Sequence, residues 1–151
     1  MSEFVENARK EIGRADHLIF VSLKYTRTVD VLRHVIDRFI SALDEIFSAL
    51  LDRAVDEGRI ESIPNAPIVK VNKVKELYSD DPLIEEYCDY FLMLRRIMKL
   101  PFRKESEYRR HVIMFNEDFD GEQFKFNIDI VTEDFHKLKK FFSHALALLD
   151  K

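Results

Sequence analysis

The stretch from Thr28 to Gly58, TVDVLRHVIDRFISALDEIFSALLDRAVDEG, holds no proline and no internal glycine, and it constrains this chain more than any other segment. Val29, Leu32, Ile36, Phe39, Leu43, Ile46 and Leu50 follow one another at steps of three and four, the spacing of one face of an α-helix. Val35, Ile40, Phe47 and Leu51 widen that face beyond a coiled-coil seam, so more than one element must cover it. Thr28 is placed to cap the start, Asp30 suits the positive end of the helix dipole, and Gly58 supplies a stop. Such a helix is about 45 Å long. An apolar face of this breadth also suits pairing with a second copy of the chain, which points to a homodimer.

The flanking segments read as its neighbours. Residues 3 to 24 carry Phe4, Ala8, Ile12, Ala15, Ile19 and Ser22 at helical spacing, with Gly13 inside as a mark of close packing. A continuous helix to residue 58 would run about 80 Å, too long for one small domain, so Tyr25–Thr28 is read as the turn of a helical hairpin. Beyond Gly58, Pro64 and Pro67 indicate an irregular connection, and residues 70 to 78 a short helix. Asp81-Pro82 is a strong helix start, with Glu85 and Glu86 near the positive end, and Pro101 is the stop. The period then changes. His111–Asn116 and Phe124–Val131 read as strands joined through Asp120-Gly121, a β-hairpin with one apolar face. Thr132 is read as the cap of a last helix lined by Phe135, Leu138, Phe142, Ala145 and Leu149. The expected fold is mainly α: an antiparallel four- to five-helix bundle with one appended β-hairpin, in a single domain over residues 1–151.

Composition excludes several classes. Cys88 is the one cysteine, so no internal disulfide forms. No His-x-x-x-His spacing, glycine-rich phosphate loop, dinucleotide fingerprint or nucleophile elbow occurs, so no metal, cofactor or catalytic residue is assigned from the residues alone. His17, His136 and His144 read as helix-boundary residues, and Cys88 as a core filler. The start is charged and lacks an apolar core, and no apolar run is long enough to span a bilayer, so the expected place is the cytoplasm, away from membranes. Net charge is −4, which gives the whole molecule no attraction for nucleic acid.

One stretch departs from that balance. Residues 95–111 hold Arg95, Arg96, Lys99, Arg103, Lys104, Arg109 and Arg110 against Glu105 and Glu107, a local surplus of five positive charges. Arg95, Arg96, Lys99, Arg103, Arg109, Arg110 and His111 are the candidate anion-binding residues, for phosphate, a nucleotide or RNA. YRRHV, residues 108–112, is the densest group. The competing reading pairs these cations with Asp80, Asp81, Glu85, Glu86 and Asp89, with Tyr108 packed.

The hairpin carrying EIGRADHLIFVSLKYTRT, followed by the long apolar helix, resembles the HEPN superfamily of small helical bundles, including archaeal members, over residues 8 to 58. The resemblance implies a helical, dimeric fold. Active nucleases of that superfamily carry an arginine and a histidine with four to six residues between them, and Arg27 and His34, with six between, match that spacing here. It would imply that His34 assists proton transfer on a ribose hydroxyl while Arg27 holds the phosphate. Three roles therefore stand: a non-enzymatic, homodimeric interaction module; a phosphate, nucleotide or RNA binder using residues 95–111; and a metal-independent ribonuclease.

Overall fold

The computed structural model describes residues 2–117 and 121–151. Among these the chain is mainly helical, with five helices and a small antiparallel sheet. Helix α1 runs Glu3–His17, continues through one π-turn, Leu18–Ser22, and ends in Leu23–Tyr25. The others are α2 (Val29–Asp56), α3 (Pro67–Leu77), α4 (Pro82–Ile97) and α5 (Ile128–Leu149); the strands are β1 (Phe102–Glu105), β2 (Ile113–Glu117) and β3 (Gln123–Asn127). No helix among the described residues is long and apolar enough to cross a membrane.

The expected spine is present. Thr28 accepts from the Val31 N–H at 3.3 Å and opens α2. At the other end Gly58 takes φ +74°, the Arg59 N–H reaches Ala54 O at 2.9 Å, and the Gly58 N–H reaches Val55 O at 3.0 Å. That is a Schellman stop, which needs a residue tolerant of left-handed backbone. Helices α1, α3, α4 and α5 all pack on α2. Fourteen α2 residues are buried, among them Val29, Phe39, Phe47 and Leu51. The broad apolar face is therefore covered within the chain by the other four helices. Aromatic rings fill the centre: Phe47 meets Phe91 edge-on at 5.4 Å and Phe141 at 6.3 Å, and Tyr87 stacks on Phe141 at 4.3 Å. Lys70 of α3 is 8% exposed, and its Nζ donates to Ser48 Oγ at 2.9 Å and Asp44 at 3.0 Å.

Several local expectations are corrected. Pro67 does not lie in an irregular connection; it opens α3 at the first helical position, where its missing N–H costs nothing. A Cβ placed on Gly13 would meet no atom within 4 Å, so this glycine does not mark close packing. The second strand ends at Asn127, not Val131, and Asn127, not Thr132, is the cap of α5, accepting from the Ile130 N–H at 2.8 Å. The hairpin is also part of a larger sheet, because β1 adds a third strand in the order β1-β2-β3. Of the expected turn pair, Asp120 lies outside the described residues; Gly121 has φ +79°.

The sheet buries Met114, Asn116 and Phe126 on one side. Asn116 Nδ2 donates to Ile97 O at 3.1 Å and Pro101 O at 3.4 Å, tying the end of α4 to the sheet. On the opposite side Arg103, Phe115 and Lys125 are direct cross-strand neighbours.

Candidate functional site

The basic stretch does not form one cluster. Helix α4 ends at Ile97 and Arg103 lies in a strand, so Arg96, Lys99 and Arg103 share no helix face. Arg95 and Arg96 sit in the last turn of α4, where positive charge complements the helix dipole. The Arg95 guanidinium lies 5.8 Å from the Phe91 ring centre; Arg96 lies 5.4 Å from that of Phe124 and meets Glu122 at 3.4 Å. Lys99 follows on an exposed turn. Arg103 meets Glu105 at 3.4 Å and covers Phe115 at 4.6 Å, and Arg110 meets Asp129 at 2.7 Å. Lys104 stands between Asp30 at 3.4 Å and Glu107 at 3.8 Å. The carboxylates facing the stretch thus include Asp30, Glu105, Glu107, Glu122 and Asp129, rather than the expected set at 80–89. Asp81 instead caps α4 and meets His144 at 2.7 Å, and Asp89 meets Lys75.

What the structure does assemble is the β1–β2 loop, residues 106–112. The Tyr108 N–H donates to Arg27 O at 2.6 Å, and Glu107 accepts from the Val29 N–H at 3.0 Å. The loop is therefore fastened to the α1–α2 turn and completes the cap of α2. The Arg109 N–H reaches Ser106 O at 3.1 Å and the Val112 N–H reaches Arg109 O at 3.0 Å, with Val112 fully buried as the anchor. Two of its residues adopt left-handed backbone without being glycine: Ser106 at φ +58° and Tyr108 at φ +67°. Each such residue costs on the order of 1 kcal/mol. The expectation of a packed Tyr108 fails, since it is 76% exposed. Arg109, Arg110 and His111 are exposed beside it. Tyr25, two residues from the carbonyl that holds the loop, is 85% exposed. No residue pattern marks Tyr25, because a tyrosine next to a helix end looks the same whether it packs or points to water.

Arg27 and His34 meet different surroundings. The Arg27 Nε donates to Leu23 O at 3.2 Å and the residue is half-buried. His34 is exposed and lines a shallow groove of about 520 Å³ between α1 and α2, with Gly13, Arg14, His17, Leu18, Asp37 and Arg38. Glu11 joins the two arginines there, meeting Arg14 and, at 2.9 Å, Arg38. His17, read from the sequence as a boundary residue, faces the same groove as His34, immediately before the π-turn. His136 lies against the Phe20 and Phe135 rings. Among the described residues no group of three or more His, Cys, Asp or Glu side chains is placed to hold a metal ion. Cys88 is buried, and desolvation pushes its thiol up to about 12, which leaves it without nucleophilic character at neutral pH. No protein family, curated protein or solved structure compared with this chain matches it.

Proposed function

We infer that this protein is a non-enzymatic binding module for single-stranded RNA, which it holds on the β1–β2 loop and the adjoining α1–α2 turn. The observation that carries this reading is Tyr108. A side chain that is strained at φ +67° and exposed to water gains nothing from packing, so the strain has to be met elsewhere. Tyr108 and Tyr25 offer aromatic faces on which bases stack, worth about 1–3 kcal/mol each. Arg109, Arg110 and His111 lie next to Tyr108 for the backbone phosphates.

The test is fluorescence anisotropy with a labelled single-stranded RNA. Tyr108→Gly removes the ring and also relieves the backbone, so the loop stays formed while binding falls. Arg109→Gln with Arg110→Gln is expected to weaken binding and to flatten its salt dependence by about 1.4 in the log–log slope, for two phosphates. Unchanged affinity in both variants, or no binding by wild type at low salt, removes the reading.

A ribonuclease reading has one observation behind it: His34 and His17 share a groove with Arg14 and Arg38. Cleavage of RNA by wild type and not by His34→Ala would support it, and equal cleavage would remove His34 from any mechanism. Homodimerisation, with α2 covered, falls to surface such as Ile68 and Val69, 63% and 52% exposed, and light scattering decides it.

A further inference from the structure

Between α4 and α5 lies a separate pocket of about 130 Å³, lined by Glu86, Tyr87, Tyr90, Asp134 and Lys137. Its walls are held rigidly. Tyr87 stacks on Phe141 at 4.3 Å with the rings 7° from parallel, and Tyr90 stands edge-on to Tyr87 at 5.7 Å. The Tyr90 hydroxyl donates to Asp134 Oδ2 at 3.0 Å, which fixes the carboxylate. Lys137 lines the pocket as well, with its Nζ 3.3 Å from Glu133 and its side chain well exposed. Two tyrosine rings and two carboxylates thus share a small space with one lysine at its edge.

We propose that this pocket binds a small free organic ammonium ion, with the Tyr87 and Tyr90 rings and the Asp134 and Glu86 carboxylates as its recognition groups. The volume leaves room for one methylated ammonium head. Aromatic faces attract a weakly hydrated cation through the ring quadrupole. Calcium is disfavoured, since it needs six to eight oxygen ligands and the lining holds two carboxylates. Asp134 points the same way: burial raises its carboxyl above the ordinary range, against the Tyr90 hydrogen bond and the Lys137 charge. Its charged form is under-compensated, and a bound cation would relieve that.

The experiment is a titration of isotope-labelled protein with methylammonium and tetramethylammonium chloride, followed by amide NMR shifts, with sodium chloride at matched ionic strength as control. Saturable shifts confined to residues 86–90 and 133–137, absent with sodium, are expected. Asp134→Asn keeps an acceptor for the Tyr90 hydroxyl, so it folds, and it is expected to weaken binding about tenfold. Tyr90→Phe keeps the ring and is expected to bind within about threefold of wild type, as cation–π attraction needs only the face. No saturable shift, an equal response to sodium, or equal affinity in Asp134→Asn overturns the proposal.

Discussion

The Glu107 carboxylate is the joint between the candidate site and the scaffold, and its removal by Glu107→Ala should loosen both. Its Oε2 accepts from the Val29 N–H, the first donor of α2, at 3.0 Å. Thr28 serves Val31 separately, so the two caps are not redundant. The Glu107 side chain is 27% exposed, which places the bond in partly dry surroundings, while its contact with Lys104 at 3.8 Å is long and exposed and adds little. A lost cap of this kind costs about 1 kcal/mol, within a range of about 0.5–2. For a domain of this size that lowers the melting temperature by about 3 °C, read by circular dichroism. The loop loses a fastening at the same time. About 1 kcal/mol less holding the loop closed raises its open population about fivefold, so trypsin cleavage after Arg109 or Arg110 should speed by that factor. Glu107→Gln keeps an uncharged acceptor and should fall between wild type and Glu107→Ala. If Glu107→Ala changes neither the melting temperature nor the cleavage rate, the loop is not held through this cap, and the account of its strained backbone fails with it.

Other perturbations probe the rest of the fold. Gly13→Ala places a methyl group where nothing lies within 4 Å, so it should stabilise by about 0.8 kcal/mol, seen as a higher urea midpoint. Phe47→Ala removes a fully buried ring that touches Phe91 and Phe141 and should cost about 3–5 kcal/mol in chemical denaturation. Although burial raises the Asp81 carboxyl, hydrogen bonds from His144 and from the Ile84 and Leu83 N–H groups bring it below its ordinary 3.8. Its contribution is thus full above about pH 4 and is lost as pH falls through the lower folded value. Asp81→Ala should lower stability at pH 6 and lose that penalty in acid, measured as urea midpoints across pH.

The elements that were legible in the sequence carry their own boundary chemistry. Thr28 and Gly58 bracket α2, and Asp81 with Pro82 opens α4, because caps and stops act within a few residues. Strand β1 was hidden because all four of its residues are exposed, so it shows no apolar alternation to read. The start of α5 was misplaced by a coincidence of periods. Phe124, Phe126, Ile128 and Ile130 alternate as a strand would, yet Ile128, Val131, Phe135 and Leu138 also step as a helix, and the Asn127 cap decides between them. The candidate site was legible only as composition: YRRH was visible, but its attachment to Arg27 and Val29 joins residues about eighty positions apart, beyond any local pattern.

The π-turn in α1 fixes a length rather than a composition. In a regular α-helix, steps of four drift by about 40° each, so Leu23 would sit about 80° round from Ala15. The wider turn over Leu18–Ser22 keeps all three buried. Dropping one residue there would swing everything beyond it by about 100° and carry the Arg27 carbonyl away from the loop it holds. Relatives of this chain should therefore keep an apolar residue at position 19 and tolerate no insertion or deletion between positions 18 and 22.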